Sequence, residues 1–412
     1  MQWHIEWHRS SARPGRHEAP GKDRSRRQAE SRSVSNLVRV PLLVAAKSLF
    51  GKTTDNRPGR HEAPGKDRSR RQAESRSVSN LVRVPLLVAL VSLLSFTAGG
   101  TLRAPTAGSC RLTEKLVPSC GALWGAYVSS GAGQDWTSPF TDVERSVGRR
   151  FDIVKRYHDW SNAGGDGQFP DSAEQTLGAR GARILFFAWT SGIYSTGSHV
   201  MWRDIARGVY DDSVIVPEAR RILSWRLPVF LDFDHEMEGQ DRRKDGSPAE
   251  YIAAYQHIHD VFDSQGVTNV IWVWTSTGWL ANVDRIAASY PGDAYVDWIG
   301  YDPYNFYTCN GSAWKTPTQT VEPFYDWLIR SGHRNKPFML AEYGSVKKDG
   351  DSNALGMWYG AIAGTLANFP NLKAVVQFDS ATSSACDFRV TTSASALAGF
   401  ARSALSPYVN VR

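Results

Sequence analysis

The chain of 412 residues is short of several things. It has four cysteines, Cys110, Cys120, Cys309 and Cys386, and none stands in a C-x-x-C pair, which argues against a zinc ribbon or dithiol redox chemistry. No glycine-rich phosphate loop follows its first apolar strand, so a doubly wound nucleotide-binding sheet is disfavoured. No G-x-S-x-G elbow occurs, which removes the commonest serine-nucleophile arrangement. Its acidic cluster Asp232, Asp234, His235 and Glu236 lacks a second histidine three residues past the glutamate, where Gly239 stands. A zinc-protease helix is thereby excluded, and no metal or cofactor is expected.

An even distribution of charge is missing too. The formal net charge of +7 averages two unlike parts. Residues 1–100 hold 19 of the 48 Lys and Arg but 8 of the 41 Asp and Glu, leaving 29 basic and 33 acidic residues in 101–412. The larger part is mildly acidic, so nucleic acid is not the expected partner.

The basic part carries an identical repeat, Arg13–Ala45 recurring as Arg57–Ala89. Its Arg, Ser, Gly and Pro content cannot bury a core, and residues 1–75 read as a disordered leader arising from a coding duplication or a start codon assigned too early. Residues 76–100 read as a signal peptide: Arg76 and Arg83 precede the apolar run Val84–Ala98, and Ala98-Gly99-Gly100 supplies small residues for cleavage. The run is too short for a comfortable membrane span. A secreted, extracellular protein without stable membrane insertion is expected, and its composition suits a monomer. The four cysteines fit export as disulfides; Cys110–Cys120 with Cys309–Cys386 is one of three connectivities.

Residues 101–412 alternate short apolar runs with amphipathic stretches. The runs predict strands at 122–128, 151–157, 183–189, 228–233, 269–274, 295–301, 337–341 and 373–378. Most are continuous in Val, Ile, Leu, Phe and Trp, as strands covered on both faces are. Ser247-Pro248-Ala249-Glu250 writes a helix start, Tyr251, Tyr255, Ile258 and Phe262 share one face, and Gly266 is the stop. Further helices are expected over 320–331 and 353–369. Eight strands with helical crossovers predict an α/β fold, a (β/α)8 TIM barrel.

Each run turns polar at its C-terminal end, where barrels assemble their sites. The fourth ends in Asp234-His235-Glu236-Met237-Glu238 and the seventh in Leu340-Ala341-Glu342-Tyr343-Gly344. Two carboxyl groups facing each other across a barrel mouth, about 5–5.5 Å apart, suit retaining glycosidic cleavage, one as nucleophile and one as acid/base. A tyrosine from the sixth strand, Tyr304 or Tyr301, is placed in chain order to bond the nucleophile.

At these residues the chain resembles glycoside hydrolase family 26. His235-Glu236-Met237 is similar to the family's acid/base motif, Ala341-Glu342-Tyr343-Gly344 to its nucleophile segment, and the stretch Asp297–Tyr304 to its sixth-strand motif. The resemblance implies Glu236 as acid/base, Glu342 as nucleophile, Tyr304 as the nucleophile's partner and His235 as a substrate contact. Mannan-cleaving members usually carry an arginine before the His-Glu pair and an asparagine and tryptophans after it. Here Asp232, Asp234 and Glu238 flank the pair, no tryptophan occurs in 240–247, and Phe378 stands where a tryptophan often floors a subsite. The implied activity is endo-β-mannanase on a polysaccharide substrate, with mixed-linkage β-glucan or β-xylan as alternatives.

Thirteen of the 15 tryptophans follow residue 100. Indole rings stack on the C–H faces of sugars, so Trp160, Trp189, Trp274 and Trp279, at or beyond strand ends, are candidates for a cleft floor. His158 is a candidate polar contact. Burial in the core is the competing reading for each tryptophan, and a structural hydrogen bond for the histidine. A non-catalytic sugar-binding barrel is the rival function; it would keep aromatics but need not keep both glutamates.

Overall fold

Eight parallel strands close on themselves. In the structure, a computed structural model that describes residues 110–130, 135–161, 168–193 and 197–412, they are β1 Leu123–Val128, β2 Ile153–Asp159, β3 Ile184–Thr190, β4 Val229–Phe233, β5 Val270–Ser276, β6 Trp298–Tyr301, β7 Phe338–Ser345 and β8 Leu372–Asp379. Each pairs with the next, and β8 pairs back onto β1 with Trp124 opposite Val375. The expected (β/α)8 barrel is therefore present. The expected leader and signal peptide lie outside the described residues.

Helices α1 Thr137–Val147, α2 Ser172–Gly178, α3 Trp202–Ala206, α4 Val216–Trp225, α5 Pro248–Ser264, α6 Val283–Ala288, α7 Pro317–Arg330, α8 Ala354–Leu366 and α9 Ala394–Ala404 connect or follow the strands. Helix α5 is the one whose ends are written most plainly in sequence. Ser247 Oγ accepts from the Glu250 N–H at 3.3 Å, and the Glu250 carboxylate accepts from the Ser247 N–H at 2.7 Å. Its buried tyrosines then pin it to the barrel: Tyr251 donates to the Phe233 carbonyl and Tyr255 to the Val273 carbonyl. Helix α7 starts three residues before the expected 320, because Thr316 is its N-cap and forms a capping box with Gln319 across Pro317.

Strand alternation sorts the core into two layers. Val229, Leu231 and Phe233 of β4 face outward and pack with Tyr251, Tyr255 and Phe262 of α5. Phe230, Ile271, Val273, Trp298, Met339 and Ala374 fill the barrel interior. The hairpin 110–120 is tied by a Cys110–Cys120 disulfide and contributes Leu116 to that interior layer. The Lys115 carbonyl accepts from Trp298 Nε1 at 2.7 Å, fixing the hairpin to the base of β6. Above this floor the inward positions turn polar.

Candidate active site

Strand β7 is irregular around Glu342. Leu340 pairs with Val375 but Tyr343 pairs with Gln377, so three steps on β7 match two on β8. This is a β-bulge, and bulges re-aim side chains. Leu340 and Tyr343 both pack in the outer layer, while Ala341 packs in the inner one and the Glu342 carboxyl meets Lys155 inside the barrel. Gly300 on the adjoining β6 has no room for a side chain, since a Cβ there would sit 2.3 Å from Thr275 Oγ1.

Three donors converge on Glu342. Lys155, fully buried on β2, places Nζ 2.9 Å from Oε1, and the Tyr157 hydroxyl also donates to Oε1. The Tyr304 hydroxyl donates to Oε2 at 2.5 Å. A two-residue strand, Tyr304–Asn305, pairs with Gly344 and Ser345 and holds that hydroxyl in place. Of the two tyrosines expected near the nucleophile, Tyr304 is thus the one in contact. Tyr301 faces outward and donates to the Val321 carbonyl. Burial works to raise the Glu342 pKa, but the Lys155 ammonium, His235 and the two tyrosine hydroxyls outweigh it and hold the carboxyl below its ordinary value.

Glu236 stands in the opposite state. Its pKa is pushed up to about 8, first by burial and then by the charges of Glu342 and Glu238. It sits in a tight turn in which Asp234 and Glu236 adopt left-handed φ values of 46° and 56°. Such conformations cost on the order of 1–3 kcal/mol each and persist only when the surroundings fix them. The Asp234 N–H donates to the Trp189 carbonyl of β3 and the Glu236 N–H to the Thr275 carbonyl of β5, both at 2.9 Å. The buried Asp234 carboxylate accepts from Ser191 N–H at 2.8 Å, Ser191 Oγ at 2.6 Å and Trp202 Nε1 at 2.7 Å. Glu238 accepts from the Thr277 N–H at 2.7 Å and its hydroxyl at 2.6 Å. Asp234 and Glu238, the two flanking acids, are therefore turn-holding groups.

Two further carboxyls belong to this interior. Asp232 of β4, fully buried, titrates at about 7, chiefly through burial. Asp302, just past β6, is raised well above the ordinary range by burial and by the neighbouring Glu342. His235 keeps part of its surface open, with its ring 5.5 Å from that of Tyr157. Burial and the Lys155 charge lower its pKa to about 4.

An aromatic wall surrounds Glu342. Phe378 stacks on Tyr127 at 5.3 Å and meets Tyr157 and Tyr304 edge-on at 6.4 and 6.0 Å. Phe306 and Phe388 close the far side of Tyr304. The Cys309–Cys386 disulfide joins the loops that carry them, so the described cysteines pair as Cys110–Cys120 and Cys309–Cys386.

Four expected site residues are not brought to this mouth. His158 alternates with Tyr157 and so points outward, where Nε2 lies 2.8 Å from the Glu174 carboxylate of α2. Trp160, Trp189 and Trp274 are buried in the outer layer. Trp160 and Trp189 pack on each other at 5.3 Å, and Trp274 packs on Tyr290. Ending a strand does not decide which face a side chain takes; alternation does. Two participants went unforeseen, Lys155 and Tyr157. Their signal was a basic residue two places before a tyrosine, on one face of an otherwise apolar strand.

Fold and site together place two carboxyl groups at the mouth of a (β/α)8 barrel, an arrangement of the kind glycosidic cleavage uses. The family model Glycosyl hydrolase family 26 matches residues 199–324, the stretch carrying His235, Glu236 and Tyr304, and the chain is related to that family. It is 28% identical over 237 residues to Endoglucanase H of Acetivibrio thermocellus, covering 55% of this chain and 24% of that protein. The chain thus spans about a quarter of that relative's length. The fold is similar to that of a family-26 β-mannanase from Bacteroides ovatus, with a TM-score of 0.54 and 17% identity over 70% of this chain and 90% of the other. Among the described residues no helix is long and apolar enough to cross a membrane.

Proposed function

We propose that the chain is a secreted, retaining hydrolase of β-1,4-linked polysaccharide, with β-mannan as its substrate. The observation that carries this reading is the unlike setting of two carboxyl groups at one barrel mouth. Glu342 takes hydrogen bonds from Lys155, Tyr157 and Tyr304, which hold its pKa below the ordinary value, while burial and neighbouring carboxylates push that of Glu236 up to about 8. Double displacement requires that division. Glu342 attacks the anomeric carbon as the glycosidic C–O bond breaks, and the departing oxygen takes the Glu236 proton. Water then attacks the same anomeric carbon from the opposite face, its proton going to Glu236, while the bond to Glu342 breaks and returns its electron pair to the carboxylate. Tyr157 and Tyr304 remain neutral donors throughout, burial keeping both hydroxyls far above neutral pH in their pKa.

Phe378, packed on the two tyrosines that bond Glu342, and His235, next to Glu236, serve as sugar contacts in this scheme. Trp279, 58% exposed beyond β5, offers a flat face to a further sugar ring. A pure binding site would have no use for one acid and one base, which is why hydrolysis is preferred to the non-catalytic reading. Mixed-linkage β-glucan is the second reading, favoured by the relative named as an endoglucanase. Two disulfides among the described residues support an oxidising destination and hence secretion.

Reducing-sugar release from mannan, mixed-linkage glucan and xylan tests the proposal. Wild type should cleave one of them, and Glu342→Ala should lose at least about a thousandfold, as loss of a nucleophile does. An equally active Glu342→Ala protein, or wild type that binds a polysaccharide and cleaves none, would overturn it.

A further inference from the structure

Lys155 has a more particular place than a buried cation needs. Its Nζ lies 2.9 Å from Glu342 Oε1 and 3.2 Å from the Ala341 carbonyl, a group turned inward by the β7 bulge. The rings of Tyr157 and Phe186 flank the ammonium at 4.9 and 5.1 Å. Asp232 on β4, Asp302 after β6 and Glu342 on β7 act on it as charges; His235 and Glu236 in the turn after β4 feel its charge in return. Oε1 of Glu342 holds two donors, Lys155 and Tyr157, while Oε2 holds Tyr304. The oxygen with fewer donors is the better nucleophile, so Oε2 forms the bond to the sugar.

We propose that Lys155 is the positioning residue that drives the second half of the reaction, by favouring the return of negative charge to Glu342 as the glycosyl ester breaks. The inference rests on Glu342 being the nucleophile. In the ester Glu342 is neutral, and the ammonium beside it has lost its closest counter-charge. Breaking the ester C–O bond sends the electron pair back to Glu342 and restores the ion pair, while the sugar carbon takes the water oxygen and Glu236 takes the water proton. A buried ion pair regained in the transition state is worth far more than one in water. In the first half the same ammonium keeps Glu342 ionised at mildly acidic pH.

The experiment uses the full chain bearing Lys155→Met, with whichever panel polysaccharide the wild type cleaves. Loss of the charge should lower kcat about a hundredfold, the scale of removing one preorganised donor. KM should fall with it, because the ester accumulates, and acid-quenched digests should show a glycosyl adduct on the peptide containing Glu342. The acidic limb of kcat/KM should move to higher pH. Lys155→Arg should regain part of kcat. If Lys155→Met does not fold, Lys155→Gln, which keeps a donor without the charge, carries the same expectation. A variant with normal kcat, or with reduced kcat, unchanged KM and no adduct, would overturn the role of Lys155. Activity persisting in Glu342→Ala would instead overturn the reading beneath it, so the two failures are told apart.

Discussion

Replacing Asp234 with alanine should cost the protein about 4 kcal/mol of unfolding free energy. Three hydrogen bonds end on this fully buried carboxylate, from Ser191 N–H, Ser191 Oγ and Trp202 Nε1, and Arg242 lies 3.3 Å away. Bonds to a charged partner contribute roughly 1.5–3 kcal/mol each, though bonds sharing one acceptor do not sum fully. Alanine also strands the Trp202 and Ser191 donors in a place water does not reach, which is how breaking a buried charged contact comes to cost about 3–5 kcal/mol. Urea unfolding followed by tryptophan fluorescence measures the loss, and Asp234→Asn, which keeps one acceptor oxygen, should lose about half as much. Activity should fall further than stability suggests. Asp234 and Glu236 hold left-handed φ values in one short turn, and a displacement of about 1 Å in a reacting group is worth roughly a hundredfold in rate. An alanine variant within about 1 kcal/mol of wild type and within threefold in kcat/KM would refute the reasoning, since both figures fall below any single bond counted above.

Asp379 at the end of β8 is raised by burial to about 7 from 3.8. A raised carboxyl gives its full stability below the unfolded value and loses it as pH climbs toward the folded one. Wild type should therefore lose up to about 4 kcal/mol from this group between pH about 4 and about 7, at 1.36 kcal/mol per unit. Asp379→Asn should remove that share of the slope; parallel stability curves for the two proteins would contradict it. Trp189→Ala should destabilise by about 3–5 kcal/mol through a cavity in the outer layer and leave KM unchanged where the protein stays folded, whereas a selective rise in KM would return Trp189 to the cleft.

Much of this architecture is legible in the chain because apolar runs of five to eight residues and capping motifs are local signals. Ser247 and Glu250 announce α5, and the run before Asp234 announces β4. The capping box of Thr316 and Gln319 was equally local, and the start of α7 follows from it. The tryptophans failed for a different reason. Trp272 and Trp274 lie two apart on one strand and so share a face, yet a strand-end criterion assigns them different fates. Lys155 could not be found by local reading, since its partners come from β4, β6 and β7, between about 77 and 187 positions away in the chain. Glu342 was found through its motif, while its direction depends on a pairing slip with β8 that neither strand displays by itself.

That slip is the second of two on β7. An earlier one between Phe338 and Met339 moves the pairing with β8 by one residue, and the one between Leu340 and Tyr343 moves it back. Below Leu340 its odd-numbered residues face the barrel axis; past Tyr343 the correspondence has moved back by one against β8. A chimaera joined to a related barrel inside the segment 340–343 must carry the extra residue across the seam, or every side chain beyond it exchanges inside for outside. Junctions placed in α7 or α8 avoid the difficulty, because a helix ending in a loop can absorb one residue of mismatch. Recombination among barrels of this kind should accordingly retain Ala341 and Glu342 as one inherited unit with the β8 residues opposite them, while the helices around them exchange freely.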